Sequence, residues 1–146
     1  MQTPSFTWPP EASLEALNAR SRGTLMEALG IVFTELGDGY LRAIMPVAPQ
    51  TRQPYGLLHG GASVALAETL GSSAGMLMAG GNAVVGLEIN ANHLRAVRSG
   101  TVIGTARPFH LGRSTQVWEI QIEDEGGQAV CISRITLAVL PAPPRG

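Results

Sequence analysis

One carboxylate stands alone in a long apolar stretch of this sequence. Between residues 60 and 87, only Glu68 carries a side chain that is charged at neutral pH. Small and apolar residues fill positions 60–79, a run too long for one strand, so a buried helix is predicted. A lone buried carboxylate is costly, and a protein keeps one where it is partnered or used. The alternative is that Glu68 faces solvent or pairs across a subunit interface.

Polar groups that suit acyl transfer lie close to Glu68 in the sequence. Ser72 is at i+4 and shares its helical face, where a hydroxyl can bond a carboxylate or an attacking water. His59 and Gly60 stand at the predicted helix start, where free N–H groups favour an oxygen that gains negative charge. Gln53 lies on the proline-rich loop before them. A carboxylate, an oxyanion donor and orienting amide and imidazole groups suit thioester hydrolysis, since a thiolate leaves without strong acid assistance.

The surrounding pattern predicts the elements that must position these groups. Leucine and methionine spacing predicts two short helices on either side of a break at residues 21–23. A hairpin is predicted at 31–36 and 40–47, and β-rich stretches at 83–91, 101–109, 114–123 and 128–140. Two strands, one long apolar helix and four strands fit an α+β hotdog fold, an antiparallel sheet wrapped around one central helix.

Length and composition limit the organisation of the chain. Its 146 residues, 45% of them hydrophobic, suit one domain over 11–140, with flexible tails at 1–10 and 141–146. Only 14% of the residues are charged and the net charge is -1, which suggests surface buried by self-association and argues against a nucleic-acid partner. Neither a secretory signal nor a membrane span is expected.

No cofactor is expected to serve this chemistry. No metal-ligand spacing, phosphate-loop lysine or dinucleotide fingerprint is present in the sequence. The single Cys131 cannot form a disulfide within one chain, so a reduced, cytoplasmic compartment is the expectation. All ten basic residues are arginines, which suits phosphate contact but also a GC-rich genome.

Two segments around the predicted site carry a specific resemblance. The run Gln53-Pro54-Tyr55-Gly56-Leu57-Leu58-His59-Gly60-Gly61-Ala62-Ser63 continues into Leu66-Ala67-Glu68-Thr69-Leu70-Gly71-Ser72. These segments, with residues 86–93, 108–113 and 116–120, resemble the hotdog thioesterases that include the 1,4-dihydroxy-2-naphthoyl-CoA hydrolases. A related group is the 4-hydroxybenzoyl-CoA thioesterases that use a helix glutamate. The resemblance covers nearly the whole chain outside the two tails.

The resemblance implies a role for each matching residue. Glu68 would be the nucleophile or general base, and the Gly60 N–H would polarise the thioester carbonyl. Gln53 and His59 would orient the carbonyl or the water, and Ser72 would assist hydrolysis. Coenzyme A, as part of the substrate, would run past Gly86, His93, Leu94, Arg95, Ala96, His110, Leu111, Gly112, Arg113, Ser114 and Thr115. Arg95 and Arg113 are the expected phosphate contacts, although either arginine can equally belong to a solvated face.

The resemblance also implies a homo-oligomer, a tetramer built from dimers with central helices side by side. Ala65, Gly71, Ser72 and Gly75 are small enough for close helix approach. The acyl pocket departs from the family pattern, because Leu94 replaces a second histidine and residues 76–81 differ in composition. Aromatic acyl groups are expected in an apolar slot whose predicted walls are Met76, Leu77, Met78, Ile89 and Leu94.

Three other functions compete with acyl-CoA hydrolysis. An enoyl-CoA hydratase on the same fold would need an Asp/His dyad that has no counterpart around Glu68. A non-catalytic acyl-CoA-binding module would keep the cleft without requiring the helix carboxylate. A thioesterase acting on carrier-protein thioesters would keep the whole catalytic set.

Overall fold

Within the described residues, the fold is built from three α-helices, one long and two short, and from six strands. The computed structural model describes residues 2–142. The helices are α1 (Leu14–Arg20), α2 (Leu25–Leu29) and α3 (Gly60–Met78). The strands are β1 (Val32–Gly37), β2 (Tyr40–Pro46), β3 (Ala83–His93), β4 (Thr101–Leu111), β5 (Thr115–Glu123) and β6 (Ala129–Leu140). Every element matches the sequence prediction to within a few residues.

All six strands form one antiparallel sheet in the order β1-β2-β4-β5-β6-β3. Helix α3 contacts β2 to β6 and lies across the inner face of this sheet. The largest fully buried side chain, Trp118, lies in the core with Leu66 and Leu70 of the helix. The hotdog arrangement predicted from the sequence is therefore confirmed.

Glycines bring α3 close to the sheet. A Cβ on Gly71 would overlap the side chain of Ile135, and one on Gly75 would overlap Leu137 and come within 2.8 Å of Gln116 Oε1. Both glycines are buried against the chain's own sheet. The expectation that Gly71 and Gly75 allow close approach of a second helix was therefore wrong, because side chains of the chain's own sheet fill the space beside them.

The buried side of α3 has a four-residue repeat. Its buried residues come in pairs, 62 and 63, 66 and 67, 70 and 71, and 74 and 75. The next position in each turn, Val64, Glu68, Ser72 and Met76, forms an adjoining row that the sheet leaves partly or fully exposed. This row borders β3, the last strand of the sheet.

Phe6 and Trp8 pack on the domain, which corrects the prediction of a flexible tail for this part of residues 1–10. The Trp8 ring stacks on Trp118 at 6.4 Å between centroids, and its indole N–H donates to the Gly37 carbonyl at 2.8 Å. Phe6 meets both tryptophans edge-on. Aromatic burial thus fixes a segment whose prolines suggested a loose tail. In the predicted carboxyl-terminal tail, Ala142 N–H donates to Asn82 Oδ1 at 3.0 Å, and residues 143–146 lie outside the described residues.

The two edges of the sheet are treated differently. At β1, the Asn18 side chain accepts from Phe33 N–H at 2.9 Å and donates to Phe33 O at 3.0 Å, so α1 covers that edge. At the other edge, β3 has β6 as its one neighbour among the described residues, and it exposes apolar side chains, including Val85 (45%) and Leu87 (61%). A long exposed edge of this kind invites pairing with another chain.

Replacing Gly75 by alanine is expected to lower the free energy of unfolding by about 1–3 kcal/mol, because the added methyl group overpacks the helix–sheet contact. Alanine favours an exposed helix by up to about 1 kcal/mol, so a tolerant site would show the opposite sign. Urea denaturation measures the difference. The matched control is Ser73→Ala on the half-buried side of α3, expected within about 0.5 kcal/mol of the unsubstituted protein. Equal or higher stability of Gly75→Ala would contradict the close contact.

Candidate active site

The loop that leads into α3 is held by backbone hydrogen bonds at both ends. Leu58 N–H donates to Val97 O at 2.7 Å, and His59 N–H donates to Thr51 O at 2.8 Å. Within the loop, Gln53 N–H donates to Leu57 O at 2.8 Å. The polar residues of the loop are therefore presented on a fixed backbone.

His59 caps α3 in a way that sets its tautomer. Its Nδ1 accepts from Gly61 N–H at 2.8 Å, so Nδ1 carries a lone pair and the proton of the neutral ring is on Nε2. The exposed ring thus offers an N–H donor at the helix start, where the helix dipole already favours negative charge.

Gln53 is oriented by the same loop. Its Oε1 accepts a short hydrogen bond from Tyr55 N–H. The acceptor end of the amide is thus occupied, and its NH₂ group is left to donate. Both Gln53 and His59 therefore present donors, which suits an oxygen that becomes more negative.

Gly60 begins α3 beneath the imidazole of His93. A Cβ at Gly60 would stand 2.8 Å from His93 Nε2, so only glycine fits the spacing between helix start and ring. As the first helical residue, Gly60 has an N–H without a partner in a preceding turn. A cavity of about 370 Å³ opens here, lined by Gln53, Leu57, Leu58, Gly60, Ser63, His93, Leu94, Arg95, Ala96 and Val130.

Glu68 is exposed rather than buried, which corrects the expectation of a buried carboxylate. It belongs to the row of α3 that borders β3, and no strand of residues 2–142 lies beyond β3 in the sheet. The carboxylate lies over Gly86, where a Cβ would stand 2.7 Å from Oε1. Glu68 forms no ion pair within residues 2–142, because the single salt bridge among these residues joins Arg42 and Glu35.

The predicted site residues fall into two groups that do not meet within one chain. Gly60 and Glu68 are eight residues apart on α3, which is about 12 Å along the helix axis. Gln53, His59, Gly60 and the residues 93–96 form the first group. Glu68 and Gly86 form the second. One thioester carbonyl cannot touch both groups of a single chain.

The hairpin at residues 110–115 lies at the opposite end of the sheet from His93. His93 pairs with Cys131 on β6, whereas Thr115 pairs with Ala138, seven residues farther along the same strand. The hairpin therefore lies toward the end of the sheet that holds Gly86, which pairs with Leu137. The two segments predicted to contact coenzyme A are separated within one chain.

The sequence and fold of this chain were compared with those of known proteins. The sequence model described as the thioesterase superfamily matches residues 55–131. The proofreading thioesterase EntH of Cronobacter sakazakii is 58% identical over 134 residues, covering 91% of this chain and 98% of its own. The chain belongs to the thioesterase superfamily.

Two further comparisons agree. The 1,4-dihydroxy-2-naphthoyl-CoA hydrolase of Escherichia coli is 54% identical over 134 residues, covering 91% of this chain and 98% of its own. The crystal structure of a mutant thioesterase from Pseudomonas aeruginosa superimposes with a TM-score of 0.90 at 49% identity, covering 92% of this chain and 99% of that one. This thioesterase thus shares its fold across almost its full length with hydrolases of the same family.

Several residues that the sequence predicts to lie at the active site are found elsewhere in the structure. No hydrogen bond joins Ser72 to Glu68 within the described residues; Ser72 instead lines a separate cavity with Met76. The predicted apolar slot does not form as one unit. Leu77, Met78 and Ile89 pack against the core, and Leu94 lies in the cavity beside Gly60. A helix pattern cannot show which apolar side chains the sheet will cover.

Sequence reasoning also missed residues of the thioesterase site. Ser63, buried at 2% exposure, lines the cavity beside Gly60. Its position at i+4 from His59 was a usable signal, the same spacing that singled out Ser72. Leu57, Leu58 and Val130 complete the cavity, and no spacing rule in the sequence indicates them.

Metal-ligand clusters, the single cysteine and membrane-spanning helices were also considered. Within residues 2–142, no cluster of three or more His, Cys, Asp or Glu side chains is arranged to hold a metal ion. Burial raises the pKa of the Cys131 thiol, which keeps it protonated and makes it a poor nucleophile. No helix of the described chain is long and apolar enough to cross a membrane.

Replacing Gly86 by alanine is expected to lower thioester turnover by roughly tenfold or more, because the methyl group occupies the place beside Glu68 Oε1 and moves the carboxylate. Turnover of a CoA thioester, followed by thiol release, is the measurement. The control is Asn90→Ala on the same strand, expected within about twofold of the unsubstituted enzyme. Full activity of Gly86→Ala with an unchanged melting temperature would show that the position of Glu68 does not matter.

Proposed function

We propose that the protein hydrolyses acyl-CoA thioesters at sites that two copies of the chain complete together. Glu68 of one copy would act on a carbonyl held by the Gly60 N–H of the other. The observation that carries the proposal is the separation of the two groups along α3, about 12 Å in one chain. Each group is incomplete alone, since one has a carboxylate without an oxyanion donor and the other has donors without a carboxylate.

Two contacts within the chain favour a twofold partner. The ring of His93 lies over Gly60, and Gly86 lies beside Glu68. Helix α3 therefore contributes Gly60 to the first group and Glu68 to the second. Strand β3 contributes His93 to the first group and Gly86 to the second, so the groups are separated along both elements. If a second copy pairs its β3 antiparallel to this one, its Gly60 and His93 approach Glu68 and Gly86 on both elements at once. A twofold axis makes the reverse site identical.

The free edge of β3 supplies the surface for such a pairing. Its exposed apolar side chains would be covered, and its unpaired backbone groups would gain partners. Burial against the second copy would also exclude water around Glu68, so the expectation of a buried carboxylate would apply to the pair. A tetramer formed from two such dimers is the assembly that the family resemblance implies.

The donors and the carboxylate divide the reaction between them. The Gly60 N–H, with the Gln53 amide and the His59 Nε2–H, would stabilise the oxyanion formed from the thioester carbonyl. Glu68 would attack the carbonyl carbon, or take a proton from a water that does. In the first case the carbon–sulfur bond breaks to leave a mixed anhydride on Glu68, which a water molecule then hydrolyses to restore the carboxylate. In the second case the adduct of water and carbonyl expels the thiolate directly. Either route consumes one water, and the products are a carboxylic acid and the thiol of coenzyme A.

The same partner would bring together the two segments of the chain that are predicted to contact coenzyme A. The residues 93–96 of one copy would lie on one side of the thioester, and the hairpin 110–115 of the other copy on the far side. Arg95 and Arg113 would then contact phosphates with planar, bidentate donors. We further propose that the acyl group is aromatic, in keeping with the substrate in the name of the Escherichia coli relative.

Glu68→Gln is expected to lower turnover by on the order of a hundredfold or more while the fold is retained, because the amide can neither attack nor accept a proton. Thiol release from benzoyl-CoA, with circular dichroism as the fold check, is the measurement. The substitution keeps the size and hydrogen-bonding reach of the side chain, so packing is preserved. Near-complete activity of this variant would reduce the protein to an acyl-CoA-binding module or place the chemistry elsewhere.

Mixed assemblies test the sharing of the site directly. Gln53→Ala removes the opposite group, and co-expression with Glu68→Gln under two affinity tags gives mixed dimers with one intact site. Random pairing predicts recovery of about one quarter of the full activity in the total pool. Tandem purification isolates the mixed species for comparison with each variant alone. No recovery, or a monomer by light scattering at micromolar concentration, would refute the shared site.

Benzoyl-CoA is expected to exceed acetyl-CoA and hexanoyl-CoA in kcat/KM, because a pocket that binds a ring in the transition state shows it in catalytic efficiency. A panel of aryl and straight-chain CoA thioesters measures the ratio. Equal efficiency across the panel would remove the aromatic preference and leave the hydrolase proposal standing.

A further inference from the structure

A second cavity lies one helical turn beyond Glu68, between α3 and the amino-terminal helices. It has a volume of about 310 Å³, and its walls are Leu17, Arg20, Met26, Ser72, Ser73, Met76, Ala83 and Val84. Of these residues, the sequence indicated only Ser72 and Met76, and neither belongs to the two groups of the proposed site. The position of the cavity relative to the Glu68 carboxylate indicates which part of a substrate would enter it.

Two elements lead from Glu68 to this cavity in the same direction. On α3, Ser72 and Met76 follow Glu68 at four-residue steps in the row that borders β3. On β3, Val84 lies two residues before Gly86, so its side chain points to the same face of the strand. Both routes begin at the carboxylate and lead away from the amino end of α3. An acyl group that extends from a carbonyl at Glu68 in this direction enters the cavity.

Helices α1 and α2 give the cavity a fixed outer wall. Asn18 bonds both backbone groups of Phe33 on β1, which holds α1 in place. Leu17, at 3% exposure, belongs to the core, and Met26 packs against it. Ser21 Oγ contacts the Met26 sulfur at 3.8 Å, which links the two short helices. The wall is thus part of the folded domain.

The size and lining of the cavity limit its occupant. A volume of 310 Å³ is at the lower end of the roughly 300–1,000 Å³ typical of small-molecule sites. Leu17, Met26, Met76 and Val84 supply apolar surface, which suits a compact ring system more than a long alkyl chain. The hydroxyls of Ser72 and Ser73 add polar groups.

One cation lies in this lining. Arg20 is the last residue of α1 and is exposed, and within residues 2–142 its guanidinium makes no salt bridge. Its planar donors fit an oxygen substituent or a carboxylate at the far end of a bound ring. No carboxylate of the chain is among the residues that line the cavity.

We propose that α1 and α2 form the acyl-specificity wall of this thioesterase and that Arg20 selects ring acyl groups with an oxygen substituent at their far end. The inference rests on the proposed function for the position of the scissile carbonyl. Arg20 touches only the far end of the substrate, so it would set selectivity without taking part in the chemical step.

The experiment compares 4-hydroxybenzoyl-CoA and 6-hydroxy-2-naphthoyl-CoA with their unsubstituted parents in Arg20→Gln. The preference in kcat/KM for at least one hydroxylated acyl group over its parent is expected to fall about tenfold, the loss of one charge-assisted hydrogen bond. The parents should stay within about twofold. Arg22→Gln is the matched control, since Arg22 is exposed two residues farther on and lines a different groove.

A second variant tests the cavity itself. Ala83→Trp fills it from the exposed start of β3 and should lower kcat/KM for the naphthoyl substrate at least about tenfold, with acetyl-CoA nearly unchanged. Equal effects of Arg20→Gln and Arg22→Gln, or equal losses on all substrates, would overturn this inference and leave the hydrolase proposal intact. If no thioester is hydrolysed, calorimetric binding of free 6-hydroxy-2-naphthoate decides: weaker binding to Arg20→Gln supports the site, and equal binding rejects it.

Discussion

The close contact between α3 and the sheet determines where the candidate site residues of α3 and β3 lie. Gly71 and Gly75 let the helix backbone approach Ile135 and Leu137, and Gly104 on β4 accommodates Leu70 in the same way. At this depth the sheet covers two residues in each turn of the helix. The row that begins at Val64 remains at the border with β3. Glu68 can reach solvent and Gly86 only because that row is not covered.

The same contact explains why one chain holds two incomplete groups. A helix packed on a sheet keeps its residues 1.5 Å apart along its axis, so Gly60 and Glu68 cannot be brought together by bending or by a loop. A loop-based site would have no such restriction. Rigid placement therefore favours assembly of the site between chains, and the free edge of β3 is the part of the sheet that a second chain can extend.

Most of the fold could be predicted from the sequence because its signals are local. The apolar run at 60–79 exceeds strand length, the Gly37-Asp38-Gly39 turn separates two β-rich stretches, and the remaining stretches end at polar turns. The sequence also locates the start of α3 at Gly60, and a helix start fixes where free N–H groups point. The catalytic roles of Gln53, His59 and Gly60 stay a prediction. The tight packing of His93 over Gly60 was not visible, because the two residues are 33 positions apart.

The sequence could not show which residues of the apolar elements face the sheet and which face solvent. Glu68 looked buried because its neighbours are apolar, yet those neighbours face the sheet while Glu68 lies at the edge of their stripe. Gly71 and Gly75 looked like openings, although sheet side chains occupy the space they leave. Phe6 and Trp8 lie among prolines, and only the stacked ring of Trp118 shows why they are fixed. Each error concerns a contact distant in sequence, which periodicity within one element does not report.

In the proposed reaction, the parts of the chain that would do the chemistry are separate from the parts that would choose the acyl group. Gly60, Glu68 and Gly86 lie on α3 and β3, where the glycine contacts leave little tolerance for change. The outer wall of the second cavity comes from α1 and α2, which attach to the sheet mainly through Asn18 and a few apolar side chains. A substitution at Arg20, which is exposed, is therefore expected to alter the cavity without moving the carboxylate. Selectivity in such a fold can change through two short helices, while the core fixes the positions of Gly60 and Glu68 on α3.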